Sequence, residues 1–152
     1  MHVPLILLNG RRFSGQRYET IGGLIDVAPT VMDLLGLASP SGWQGRSFFS
    51  SRRAGRAYFF SPFSRFLFGL RDGDLKLIID ASRSVYEVYD LRRDPKERTN
   101  IAGEMTEFVR HGERRIAAWV QYQNRFYREL LKDKPGADRA ARQKRTPRGG
   151  VA

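Results

Sequence analysis

The chain has 152 residues, 41% of them hydrophobic, no cysteine and a formal charge of +11. At this length about two-thirds of the unfolded surface can be buried, so global disorder is excluded and one domain, or a domain and a half, is expected. The lack of cysteine excludes disulfides, thiolate metal sites and cysteine nucleophiles.

The charge is uneven. Residues 132–152 hold seven Lys/Arg (Lys132, Lys134, Arg139, Arg142, Lys144, Arg145, Arg148) against Asp133 and Asp138. Such a basic tail is either a disordered, solvated end or a weak site for nucleic acid or anionic lipid. No segment reaches the roughly 18 apolar residues of a transmembrane segment. The opening MHVPLILLNG lacks the basic n-region and small-residue cleavage site of a signal peptide. Localisation stays open.

In chain order, VPLILL (3–8) is a continuous apolar run and predicts a strand buried on both faces of a parallel sheet. Residues 9–20 are loop. In IGGLIDVAPTVMDLLGL (21–37), Ile21 to Ile25 can extend and Asp26 is placed as an N-cap. Pro29 is tolerated in the first turn, Val27, Val31, Leu34 and Leu35 share a face, and Gly36 stops the helix. Residues 38–46 are a Pro/Gly-rich loop. The middle reads as about four short antiparallel strands, in 57–61, 66–80 and 84–91, with Asp72-Gly73 as the hairpin turn signal. Residues 104–131 predict one long helix. Its stripe is Met105, Phe108, Val109, Ile116, Trp119, Val120, Gln123, Phe126, Tyr127, Leu130 and Leu131. Gly112 weakens that helix by roughly 1 kcal/mol relative to alanine.

Several clusters could carry chemistry. Asp26 and Thr30, beside Gly22-Gly23, offer either an anion or metal site or ordinary helix capping. His2 and His111 are the only histidines and lack the spacing of a metal cluster; His2, at the end of the apolar strand, is the better candidate for a place near a catalytic centre. The aromatics Tyr58, Phe59, Phe60, Phe63, Phe66 and Phe68 could stack bases, but short aromatic strands more often fill a sheet–helix core. Arg52, Arg53 and Arg56 form a second basic cluster. In RRDPKERTN, Asp94 is placed as an N-cap, Pro95 as N1 and Glu97 as N3 of a capping box, with Asn100 bonding locally in the turn.

Three blocks, HVPLILLN (2–9), GGLIDVAPTVMDLLGL (22–37) and YEVYDLRRDPKERTNIA (86–102), resemble the C-terminal portion of the sulfatase family in the alkaline phosphatase superfamily. The matching positions are Asp26, Pro29, Thr30, Asp33, Leu34 and Gly36, then Tyr89, Asp90, Leu91, Asp94, Pro95, Glu97 and Asn100. GWQGRSFF (42–49) and GLRDGDLKLI (69–78) look like intervening family segments, and WVQYQNRF looks like the membrane-anchored bacterial branch. The resemblance covers residues 2–131.

It implies an α/β fragment plus an α+β part: a strand and helix from a large α/β domain (1–46) and a four-stranded antiparallel sheet packed on a long C-terminal helix (47–131); the basic composition of 132–152, outside the resemblance, predicts a disordered tail. The family hydrolyses sulfuric or phosphoric esters with a modified Cys or Ser in a C/S-x-P-x-R motif, helped by a calcium-type or manganese-type cation. No proline here has Cys or Ser two residues before it and Arg two after; the nearest stretch, Phe60-Ser61-Pro62-Phe63-Ser64, fails at both positions. The acidic pairs that hold the cation are absent too, and Leu24 stands where relatives often have histidine. The resemblance therefore implies no catalytic, cofactor-binding or metal residue in this chain. It implies a fragment, by truncation, gene splitting or cutting of a longer polypeptide, that is inactive alone. Its expected partners are the N-terminal catalytic portion and further copies of itself. The competing expectations are a basic anion- or nucleic-acid-binding module and a non-functional remnant.

Overall fold

The computed structural model describes residues 3–63 and 65–132; His2 and the tail 133–152 lie outside them. The chain divides into two compact units, Met1–Ala57 and Tyr58–Ala152.

In the first unit the expected strand 3–8 does not form. Among the described residues the segment has no ladder partner, and Ile6 and Leu8 are 73% and 92% exposed. A parallel strand exists only beside neighbours of the same sheet, and no β-strand lies within residues 3–55. Asn9 ends the segment with a local turn, its Oδ1 accepting the amides of Arg11 and Arg12. The expected extension of 21–25 is also interrupted, because Leu24–Asp26 is a single 3-10 turn leading into helix α1, Val27–Leu34. Gly36, at φ +71°, closes α1, and the Leu37 amide returns to the Met32 carbonyl. The buried face of this helix is not the predicted apolar one. Asp26, Pro29 and Thr30 are buried, whereas Val31 and Leu35 are exposed.

The second unit has the predicted four-stranded antiparallel sheet. Its strands are β1 (Arg56–Ser61, beginning at the unit boundary), β2 (Leu67–Asp72), β3 (Leu75–Asp80) and β4 (Val85–Asp90), side by side in that order. The β2–β3 hairpin pairs Asp72 with Leu75, so Gly73 takes the first central turn position at φ +60°, as a II′ turn requires. Registers Leu70↔Leu77↔Val88 and Phe68↔Ile79↔Tyr86 put these side chains on one face.

Helix α2, Thr106–Lys132, covers that face. Ile116 joins Leu70, Leu77, Ile79 and Val88 in the core, with Met105, Phe108, Val109 and Val120 packed around them. Gly112 is where helix and sheet come closest: a Cβ there would lie 2.3 Å from Leu77 Cδ2. The helix-weakening residue of the sequence is thus the one that admits Leu77.

The aromatic run is only partly core. Tyr58 stacks on Trp119 at 5.4 Å, Phe59 lies over Gly69, and Phe68 packs on the core. Phe60, Phe63 and Phe66 stay exposed, because they fall at and beyond the ends of strands.

Candidate functional site

The family-like motifs form two hydrogen-bonded clusters, one in each unit. In the first, Asp26 Oδ2 accepts the Gly23 amide and Arg53 Nη2, both at 2.9 Å, and Oδ1 accepts the Arg46 amide at 2.8 Å. Burial raises the carboxyl pKa, but these three donors and the Arg53 charge outweigh it and hold Asp26 below the usual carboxylate value. The same guanidinium donates to the carbonyls of Ile21, Arg46 and Ser47 and lies 5.0 Å over the Phe48 ring. Thr30 Oγ1 donates to the Asp26 carbonyl and accepts the Phe48 amide. The Ser47 hydroxyl donates to Asp33.

This clasp leaves no room for larger residues at two glycines. A Cβ on Gly22 would meet Phe48, Arg53 and Asp26 below 3 Å, and one on Gly45 would lie 1.8 Å from the Ile25 carbonyl oxygen. Of the two readings open at Asp26 and Thr30, an anion or metal site or helix capping, neither is met as drawn, because both side chains are engaged by protein groups in this clasp. Asp26 also does not N-cap α1 with its side chain, because its carboxylate turns back to Gly23. Of the basic cluster Arg52, Arg53 and Arg56 in the competing anion-binding reading, Arg53 is turned into this clasp, its side chain only 12% exposed.

In the second unit, DPKE is not a helix start. Asp94 Oδ2 accepts the amides of Arg98 and Thr99, one and two residues beyond the capping-box position, and the Asp94 amide donates to the Asp90 carbonyl. Glu97 sits in the left-handed region at φ +54°, which breaks any helical continuation. Its carboxylate reaches Lys76 Nζ at 2.5 Å instead of returning to the cap amide. Lys76 in turn lies 5.6 Å over the Phe59 ring.

Asn100 does more than the local turn expected of it. Its Oδ1 accepts the Val88 and Ala102 amides, and its Nδ2 donates to the Tyr86 carbonyl. With the Ile101 amide on the Val88 carbonyl, it closes the free edge of β4. Tyr89 is pushed up to about 12 by burial, its hydrogen bond to Glu87 and the nearby charges of Glu97 and Asp94, so it remains a donor.

His111 is exposed on α2, 3.8 Å from Glu107, at a cleft of about 240 Å³ that Asp72 and Arg115 also line. Arg115 pairs with Asp72 at 3.4 Å, so the cleft's charges face each other. Among the described residues no three His, Cys, Asp or Glu side chains converge as metal ligands. The partners missed at the sequence level are Arg53, Lys76 and Arg115. Only Lys76, a lone cation inside LKLIID, left a signal of its own.

No family model matches the chain. Arylsulfatase K of Xenopus laevis is 26% identical over 140 residues, covering 80% of this chain and 26% of that protein. Its Mus musculus counterpart is 27% identical over 140 residues, covering 80% and 25%. The chain thus spans about a quarter of the length of the curated relatives it matches. A crystal structure from Bacteroides fragilis, assigned to the sulfatases, superposes with a TM-score of 0.52 over 65% of this chain and 24% of that one, at 19% identity, which shows a shared fold. The motif order and the four-fifths of the chain aligned with arylsulfatase K agree: the chain is similar to the sulfatases, and to the C-terminal portion of that family.

Proposed function

We propose that the chain is the C-terminal portion of a sulfatase-like ester hydrolase and is not catalytic by itself. On this reading the nucleophile and the divalent cation belong to an N-terminal catalytic portion. This chain would contribute a folded sheet–helix unit and the apolar segment 3–8. The observation that carries the reading is that segment: an apolar run with Val3, Leu5, Ile6 and Leu8 all exposed, and with the composition of a strand buried on both faces. Such a segment is completed by neighbouring strands of a larger parallel sheet.

The motif residues support the same reading. Asp26, Thr30, Asp94 and Asn100 are all engaged by backbone amides or carbonyls, so their work is to hold loops. The test is turnover of an aryl sulfate and an aryl phosphate by the purified chain with calcium or manganese. No turnover is expected, and divalent-ion-dependent turnover would overturn the proposal.

A further inference from the structure

We propose that the C-terminal half of α2, from Tyr122 to Lys132, is a surface-lying helix that docks on an anionic phospholipid bilayer. A helix of 27 residues is about 40 Å long, whereas the six-residue strands beneath it span about 20 Å. The helix therefore outruns the sheet. Val120 is the last of its residues packed on the core cluster, next to the Trp119–Tyr58 stack, and Phe126 beyond it is half-buried.

The apolar stripe does not end there. It continues through Phe126, Tyr127, Leu130 and Leu131, at the same i, i+4 spacing that Ile116 and Val120 use against the sheet. Leu130 and Leu131 are 49% and 54% exposed, and Tyr122 and Tyr127 are each 56% exposed. The aromatic rings here pack on one another, Phe126 lying 6.4 Å from Tyr122 and 5.7 Å from Tyr127.

The opposite side of these turns is polar and basic. Arg125, Arg128 and Lys132 lie there with Gln121, Asn124 and Glu129, the last paired with Arg125. No described helix is long and apolar enough to cross a membrane. An apolar stripe opposed by cations, on a helix of low overall hydrophobicity, is the pattern of helices that lie in the headgroup plane. Tyrosine rings suit that depth, with an apolar body and a polar tip.

Charge decides among occupants. A formal charge of +11 opposes a second copy of the chain and favours an anionic surface. The aliphatic Leu130 and Leu131 have no use against the phosphates of a nucleic acid but partition into the acyl boundary of a bilayer.

The experiment is co-sedimentation of the full chain with phosphatidylcholine vesicles, with and without 30 mol% phosphatidylglycerol (about one lipid in three, enough for a negative surface potential). Binding to the anionic vesicles is expected, with little to the neutral ones. Leu130→Glu with Leu131→Glu should lower it at least about tenfold while far-UV circular dichroism and melting stay unchanged, because both side chains are exposed. Arg128→Gln with Lys132→Gln should weaken binding and flatten its salt dependence. The proposal is overturned if the leucine pair leaves vesicle binding intact, which would assign it to charge alone. It is equally overturned if the anionic vesicles are not bound, or if duplex DNA binds with the same dependence on the leucines.

Discussion

The two units of this chain solve burial in opposite ways. The second gathers Leu70, Leu77, Ile79, Val88 and Ile116 into an apolar core beneath a helix. The first buries Asp26 and Thr30 and leaves Val3, Ile6, Leu8, Leu24, Ile25 and Leu35 exposed. An apolar core supplies its own driving force, whereas a buried ion pair gives little net stability and mainly fixes geometry. The difference teaches that the second unit has what it needs to stand alone, while the first holds its loops in one arrangement and presents its apolar groups outward.

The sharpest way to break this comparison is to remove apolar volume from each unit. Leu77→Ala, at a side chain wedged against Gly112, should cost about 2–5 kcal/mol in urea unfolding followed by circular dichroism. Leu8→Ala should change stability by less than about 0.5 kcal/mol. Ile6→Lys with Leu8→Lys should likewise leave the melt alone, because both side chains are exposed. Equal costs at Leu77 and Leu8 would end the distinction between the units.

Next in size is the clasp of the first unit. Asp26→Ala leaves the Arg53 guanidinium buried without its carboxylate, which should cost about 3–5 kcal/mol and open residues 10–55 to limited proteolysis. The pH dependence follows from the lowered pKa of Asp26. Its contribution is complete above the unfolded carboxyl value, about pH 4, and is lost as pH falls through the lower folded value. Acid should therefore loosen the first unit of the unaltered chain below about pH 4, and Asp26→Asn should remove that dependence.

The β4 edge gives a smaller effect. Asn100→Ala strands the Val88 amide and should cost about 1–3 kcal/mol; Asn100→Asp keeps the acceptor, loses the bond to the Tyr86 carbonyl and should cost less. Similar losses for both would mean that the donor, rather than the acceptor, matters at this edge.

What could be read from the sequence was what local periodicity dictates. The hairpin marked by Asp72-Gly73, the four strands and α2 to within two residues of its expected ends follow from alternation, turn chemistry and the i, i+4 stripe, whereas the type II′ turn centred on Gly73-Asp74 was seen only in the structure. Segment 3–8 was misread because a parallel strand is defined by its neighbours, and composition carries only the demand for them. Asp26 was misread because its partner lies 27 residues away at Arg53, and a carboxylate that caps a helix looks the same in sequence as one that pins a loop. DPKE failed for a similar reason. Asp94 was right as an amide acceptor, but Lys76, 21 residues before Glu97, took the Glu97 carboxylate that a capping box requires.

That contest at Glu97 gives the finest test. Its left-handed backbone costs a non-glycine residue about 1 kcal/mol, and its carboxylate is the partner of a Lys76 side chain only 12% exposed. Glu97→Gly removes the strain and the ion pair together, so the two effects oppose and the net change should lie within about 1 kcal/mol of zero. Glu97→Gln keeps the strain and loses only the charge, so it should be the more destabilising of the two. In a Lys76→Met background the pairing term vanishes, and Glu97→Gly should then be stabilising by about 0.5–1 kcal/mol. If Glu97→Gly is instead strongly destabilising in both backgrounds, the strain account is wrong and the carboxylate holds the turn through its other neighbours. A stabilising change confined to the Lys76→Met background would show that in the second unit, too, one ion pair is kept for the geometry of a loop.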